Sequence, residues 1–135
     1  MRGCLIVLAA ALCAFAAASD KTETLNGKLV LTAGKRPAIA MAGNKMVLLD
    51  GDDSTRKILA DPRLNGFEVQ IKGHFTGGNF LIDPIHTTAM LVRKDGHLKM
   101  ITYWCDVCSI RAYTPGPCVC CQKETTLDLI DPDAK

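Results

Sequence analysis

Five of the seven cysteines in this 135-residue chain fall between positions 105 and 121, spaced C-x2-C-x9-C-x-C-C. They form two C-x-x-C pairs, Cys105/Cys108 and Cys118/Cys121, with Pro115, Gly116 and Pro117 in the loop between. A C-x-x-C turn aims two sulfurs the same way, and two such turns supply the four thiolates that a tetrahedral zinc ion binds at about 2.3 Å. Cys105, Cys108, Cys118 and Cys121 are therefore the expected metal ligands, and zinc is the expected cofactor. A four-thiolate site keeps no open position, so its role is structural rather than catalytic. Cys120 is left over, as a substitute for Cys121, a free thiol or a bridge to a second molecule.

Two other chemistries fit the same thiols. Paired cysteines of exported proteins commonly oxidise, which would make the segment a disulfide-stapled module. The adjacency of Cys120 and Cys121 and the odd total suit that reading poorly. Trp104-Cys105-Asp106-Val107-Cys108 has the outline of a thiol-disulfide redox motif using Cys105 and Cys108. That chemistry places the first cysteine at a helix start in a βαβ context, and the segment after Cys108 contains Pro115 and Pro117, which oppose such a helix.

The N-terminus combines Arg2, an apolar run over residues 4–17 and small residues at 16–19, the pattern of a signal peptide spanning 1–18. The run is shorter than the roughly 20 residues that cross a bilayer as a helix, so no membrane span is expected after its removal. Leu12 is too bulky for lipid attachment at Cys13. The expected location is secreted or periplasmic. Loss of Arg2 leaves near-balanced charge from the 16 basic and 14 acidic residues, which makes nucleic acid an unlikely partner in the absence of a basic surface. The mature length suits one domain.

Residues 24–103 alternate short apolar runs with turns, a β pattern. Strands are expected around Leu25, Leu29 and Leu31, over 37–41 and 45–49 as a hairpin about Ala42-Gly43-Asn44, and over 66–75 with Phe67, Val69 and Ile71 on one face. An Asp or Ser within 51–54 caps a short helix that Pro62 limits. Further strands are expected over 80–82, 85–92 and 97–104. Three strands, a helix and further strands is the order of a small OB-like barrel.

The phrase over residues 61–73, with Leu64, Gly66, alternating apolar residues and Gly73, resembles the fourth-strand region of small exported OB-fold proteins. Tyr103, Cys105, Cys108, Pro115, Gly116, Cys118 and Cys121 together resemble the zinc-ribbon and heavy-metal-binding modules of exported bacterial proteins and metal-efflux components. The chain lacks the Met-His and Gly-Met pairs frequent in the heavy-metal modules, which favours zinc over copper because the soft thioether is missing. It also lacks a glycine after either knuckle. The expectation is a mainly β fold: an OB-like β-barrel over 19–103 with one short helix, a zinc-ribbon-like knuckle over 104–124 and a tail over 125–135.

His74, His86 and His97 lack the i, i+4 spacing of a helical metal pair and read as surface residues. The acidic stretch 50–53 lacks calcium-loop spacing and reads as a turn and helix cap. No phosphate loop, nucleophile elbow or paired carboxylates appear, so a non-enzymatic role is expected. A protein or small-molecule ligand would bind somewhere on the barrel, where Phe67, Phe75 and Phe80 are candidate core or platform residues.

Overall fold

The structure is a computed structural model that describes residues 21–134. The expected signal peptide over 1–18, with Cys4 and Cys13, lies outside the described residues. Five strands, β1 (Glu23–Leu31), β2 (Pro37–Met41), β3 (Lys45–Asp50), β4 (Glu68–Thr76) and β5 (Asn79–Ile82), close a barrel. The ring runs β1-β2-β3-β5-β4 and back to β1. Every contact in it is antiparallel except β3 with β5, where Leu49 pairs with Phe80 and Asp50 with Leu81. Helix α1 (Asp53–Leu59) joins β3 to β4, which completes the OB-like order expected from the sequence.

Local chemistry explains the joints. The Asp52 carboxylate accepts the Thr55 N–H at 2.8 Å and caps α1, as the sequence suggests. Ile58 and Leu59 of α1, and Leu64 of the 3-10 turn Pro62–Leu64, are fully buried in the core with Leu29, Ile39, Ile71 and Phe80. Each such aliphatic side chain contributes roughly 1.5–3 kcal/mol relative to an exposed position. Phe80 is a core residue, with Phe75 edge-on to it at 5.1 Å between ring centroids.

Closing so small a ring forces strands to change partners. Lys28 of β1 pairs with both Glu68 of β4 and Ala40 of β2, and the adjacent Gly27 leaves no room for a Cβ against the Ala40 carbonyl. On β4, Gly73 pairs with both Glu23 and Ile82, and a Cβ there would run into the Leu81 carbonyl oxygen. These two glycines let the backbones approach at the corners.

Strands β6 (Met90–Lys94), β7 (His97–Cys105), β8 (Ile110–Ala112) and β9 (Thr126–Ile130) extend the sheet from β4 through β6 to β7. Two expectations change here. The strand expected over 85–92 starts only at Met90, because residues 86–89 form a helical turn, α2 (His86–Ala89). Pro84 has no N–H to give a ladder, and the Ile85 carbonyl accepts from the N–H and hydroxyl of Thr88 and the N–H of Ala89. Within the expected tail, Leu127 and Leu129 alternate with polar Thr126 and Asp128 and form β9, packing their leucines against the core. Among the described residues no helix is long and apolar enough to cross a membrane.

Gly73→Ala tests the closure. The expected result is destabilisation by about 2–3 kcal/mol, the usual cost of an overpacked site, read as a lower urea midpoint at unchanged slope.

Candidate metal centre

Strand β7 positions both knuckles. Met100 pairs with Leu91 of β6 and Ile130 of β9, while Tyr103 pairs with Ala112 of β8 and Leu127 of β9. A strand has two edges, so β9 takes one and β6 and β8 share the other in succession. Cys105 is the last residue of β7, and the first C-x-x-C is the hairpin turn that returns as β8 with Cys105 opposite Ile110. The second C-x-x-C is a tight turn closed by Cys118 N–H to Lys123 O at 2.8 Å, Gln122 N–H to Cys118 O at 2.9 Å and the Pro117–Glu124 bridge.

These turns bring the four expected residues together. The sulfurs of Cys105, Cys108, Cys118 and Cys121 all lie within 4.8 Å of one another, and Cys105 Sγ is 3.6 Å from Cys121 Sγ. Four sulfurs at about 2.3 Å from a central ion are about 3.8 Å apart, so the cluster has the dimensions of a tetrahedral site. All five described cysteines are free thiols. Cys105 and Cys118 are buried, Cys108 and Cys121 half-buried, and Cys120 exposed.

The two knuckles treat their first sulfur alike. The N–H groups of Cys108 and Val107 point at Cys105, and those of Cys121 and Cys120 at Cys118. For Cys118 these bonds outweigh burial and draw the thiol down to about 7. At Cys105 the N–H groups pull downward, but burial and the thiols of Cys121 and Cys118 carry it above its ordinary value. Cys108 is pushed well up by its hydrogen bond with the Cys120 thiol, by burial and by the thiols of Cys121 and Cys118. Without a cation the cluster resists collecting negative charge; a bound divalent ion reverses that.

The missing glycines have a structural answer. Ser109 and Gln122, each directly after a knuckle, hold φ of 53° and 62°, the left-handed region that a glycine adopts freely. The turns therefore form with ordinary side chains, at a backbone cost of roughly 1–2 kcal/mol each.

A polar network ties the knuckles to the barrel. The buried Tyr103 hydroxyl donates to Asp61 Oδ2 at 2.9 Å, and Arg63 pairs with the same carboxylate through Nε and Nη2, both at 2.9 Å. Arg63 Nη1 donates to the Thr125 carbonyl at 2.9 Å, and the Thr125 hydroxyl donates to the Gly116 carbonyl at 2.9 Å. A barrel turn, β7 and the inter-knuckle loop thus form one chain of hydrogen bonds. Burial raises the Asp61 pKa, but the hydrogen bonds from Arg63 and Tyr103 prevail and hold it below the ordinary value of 3.8. On the far side, Arg111 Nη1 donates to Asp128 Oδ2 at 2.7 Å and stacks over Trp104 at 5.0 Å. This network is not visible in the sequence, where residues 61–73 read only as the approach to a strand.

No histidine joins the sulfur cluster among the described residues. His86 is buried rather than on the surface, with Nε2 2.8 Å from the Tyr113 carbonyl, and braces the inter-knuckle loop. His74 lies 3.6 Å from Asp83, and His97 is exposed at the start of β7. The acidic stretch forms the expected turn and helix cap, with Gly51 N–H donating to Asp50 Oδ1 at 2.8 Å and Asp52 capping α1, and Asp50 also pairs with Arg56 at 2.8 Å. No family model, curated protein or solved structure matches the chain.

Tyr103→Phe leaves Asp61 short of a donor and is expected to cost about 1–2 kcal/mol. Because the folded Asp61 pKa lies below its unfolded value, its contribution is complete above pH 3.8 and is lost as pH falls through the folded value. Asp61→Asn is expected to flatten that acid limb in urea titrations taken at successive pH values. Ser109→Gly and Gln122→Gly relieve left-handed strain, and each is expected to raise stability by about 0.5–1 kcal/mol in thermal melts of the metal-loaded protein.

Proposed function

We propose that this chain is an exported, non-enzymatic zinc protein: Cys105, Cys108, Cys118 and Cys121 hold one structural ion that fixes a ribbon-like module on an OB-like barrel. The carrying observation is four free sulfurs within 4.8 Å of one another, on two matching turns. All-thiolate ligation without a thioether favours zinc. The N-terminal charge and apolar pattern supports export. The barrel then serves as a platform for a protein or small-molecule partner. Nucleic acid suits it poorly, because charge is nearly balanced and Phe67, Phe75 and Phe80 pack against or within the core.

A redox role for Cys105 and Cys108 is less well supported. Both thiols are pushed up in pKa, whereas a nucleophilic cysteine needs a depressed one. Cys118 is drawn down to about 7 but is buried, which keeps it from an outside disulfide.

Native mass spectrometry of the purified protein is expected to show one zinc per chain, lost in the double variant Cys105→Ser/Cys118→Ser. A metal-free species lighter by four hydrogens would mean two disulfides and would contradict the proposal.

A further inference from the structure

Away from the sulfur cluster, a cavity of about 280 Å³ opens beside α1, where β2 begins, β3 ends and β5 begins. Its apolar lining comes from Pro37 of β2, Leu49 of β3 and Leu59 of α1, the last two buried. Its polar lining is Arg36, Asp50, Arg56 and Asn79. The charges there are not equally committed. Asp50 Oδ1 accepts from Gly51 N–H and Arg56 Nε, each at 2.8 Å, and Arg56 Nη2 lies 3.4 Å from Asp50 Oδ2. Arg56 Nη1 also lies 3.6 Å from Asp53. Arg56 and Asp50 therefore neutralise each other.

Arg36 is different. Among the described residues its side chain makes no hydrogen bond or ion pair, and the Asn79 amide makes no hydrogen bond. The Arg36 backbone is held in place, since its N–H donates to Thr32 Oγ1 at 3.2 Å and its carbonyl accepts from Thr32 N–H at 2.9 Å. Two arginines and one aspartate leave the lining with a net charge of +1. A guanidinium fork matches the two oxygens of a carboxylate, and apolar walls favour a ligand whose body can cover them. Ligand sites commonly run from about 300 to 1,000 Å³, so this one suits a body of one ring or one branched chain.

We infer that the cavity binds a small organic carboxylate with a compact apolar body. Its oxygens sit on Arg36 and Asn79, and its body lies against Pro37, Leu49 and Leu59. The inference rests on the reading of the barrel as a platform, locates a ligand on it, and is independent of the metal.

Benzoate is the probe, titrated into the purified protein and followed by backbone amide NMR shifts. Saturable shifts are expected at Arg36, Leu49, Arg56 and Asn79. Benzamide has the same shape without the charge, and inorganic phosphate has charge without the ring; each is expected to bind roughly tenfold more weakly or worse. Arg36→Gln is expected to weaken benzoate binding by about the same factor while leaving the thermal melt unchanged. Should that variant fail to fold, the benzoate and benzamide titrations of wild type decide. Absence of saturable shifts at these residues, benzamide or phosphate binding as tightly as benzoate, or wild-type benzoate affinity in Arg36→Gln overturns the inference. Each of those results leaves the zinc reading and a protein partner on the barrel intact.

Discussion

Four thiols gathered within 4.8 Å of one another, two of them fully buried, cannot all ionise unless a cation stands among them. Much of the C-terminal third is arranged around that constraint. The backbone N–H groups aimed at Cys105 and Cys118 stabilise charge on the two most buried sulfurs. The left-handed Ser109 and Gln122 accept strain so that each turn can present both of its sulfurs to one point. A metal ion makes these arrangements mutually consistent, and binding to the folded chain alone would add its free energy to stability.

Strand β7 carries this local chemistry into the rest of the molecule. Its first half continues the sheet that leaves the barrel at β4, and its last residue is a candidate ligand. Tyr103 lies two residues before Cys105, buried, with its hydroxyl on Asp61 from the barrel side. The knuckle pair is therefore not a separate module on a linker. Its central strand belongs to the barrel's sheet, and β9 returns along that strand to close it.

The barrel and the clustering of Cys105, Cys108, Cys118 and Cys121 were legible in the sequence because both rest on short-range spacing. Alternation at Val69 and Ile71, the Asp52 cap and the paired C-x-x-C turns all act within a few residues. Three features were not legible. Residues 86–89 look like strand by composition, but Pro84 and the Ile85 carbonyl turn them into a helical turn. β9 is only five residues long and acquires its meaning from pairing with β7, more than twenty residues away. The Asp61–Arg63–Tyr103–Thr125 network joins positions up to 62 residues apart, beyond the reach of any local pattern. The absent glycines do not prevent the turns, since Ser109 and Gln122 take the left-handed conformation in their place.

X-ray absorption at the zinc edge, on protein purified without added metal, tests the central claim most directly. The account predicts stoichiometric zinc with a single shell of four sulfurs at about 2.3 Å and no nitrogen or oxygen ligand. Protein that carries no zinc, or zinc in a shell of nitrogen and oxygen, would contradict it.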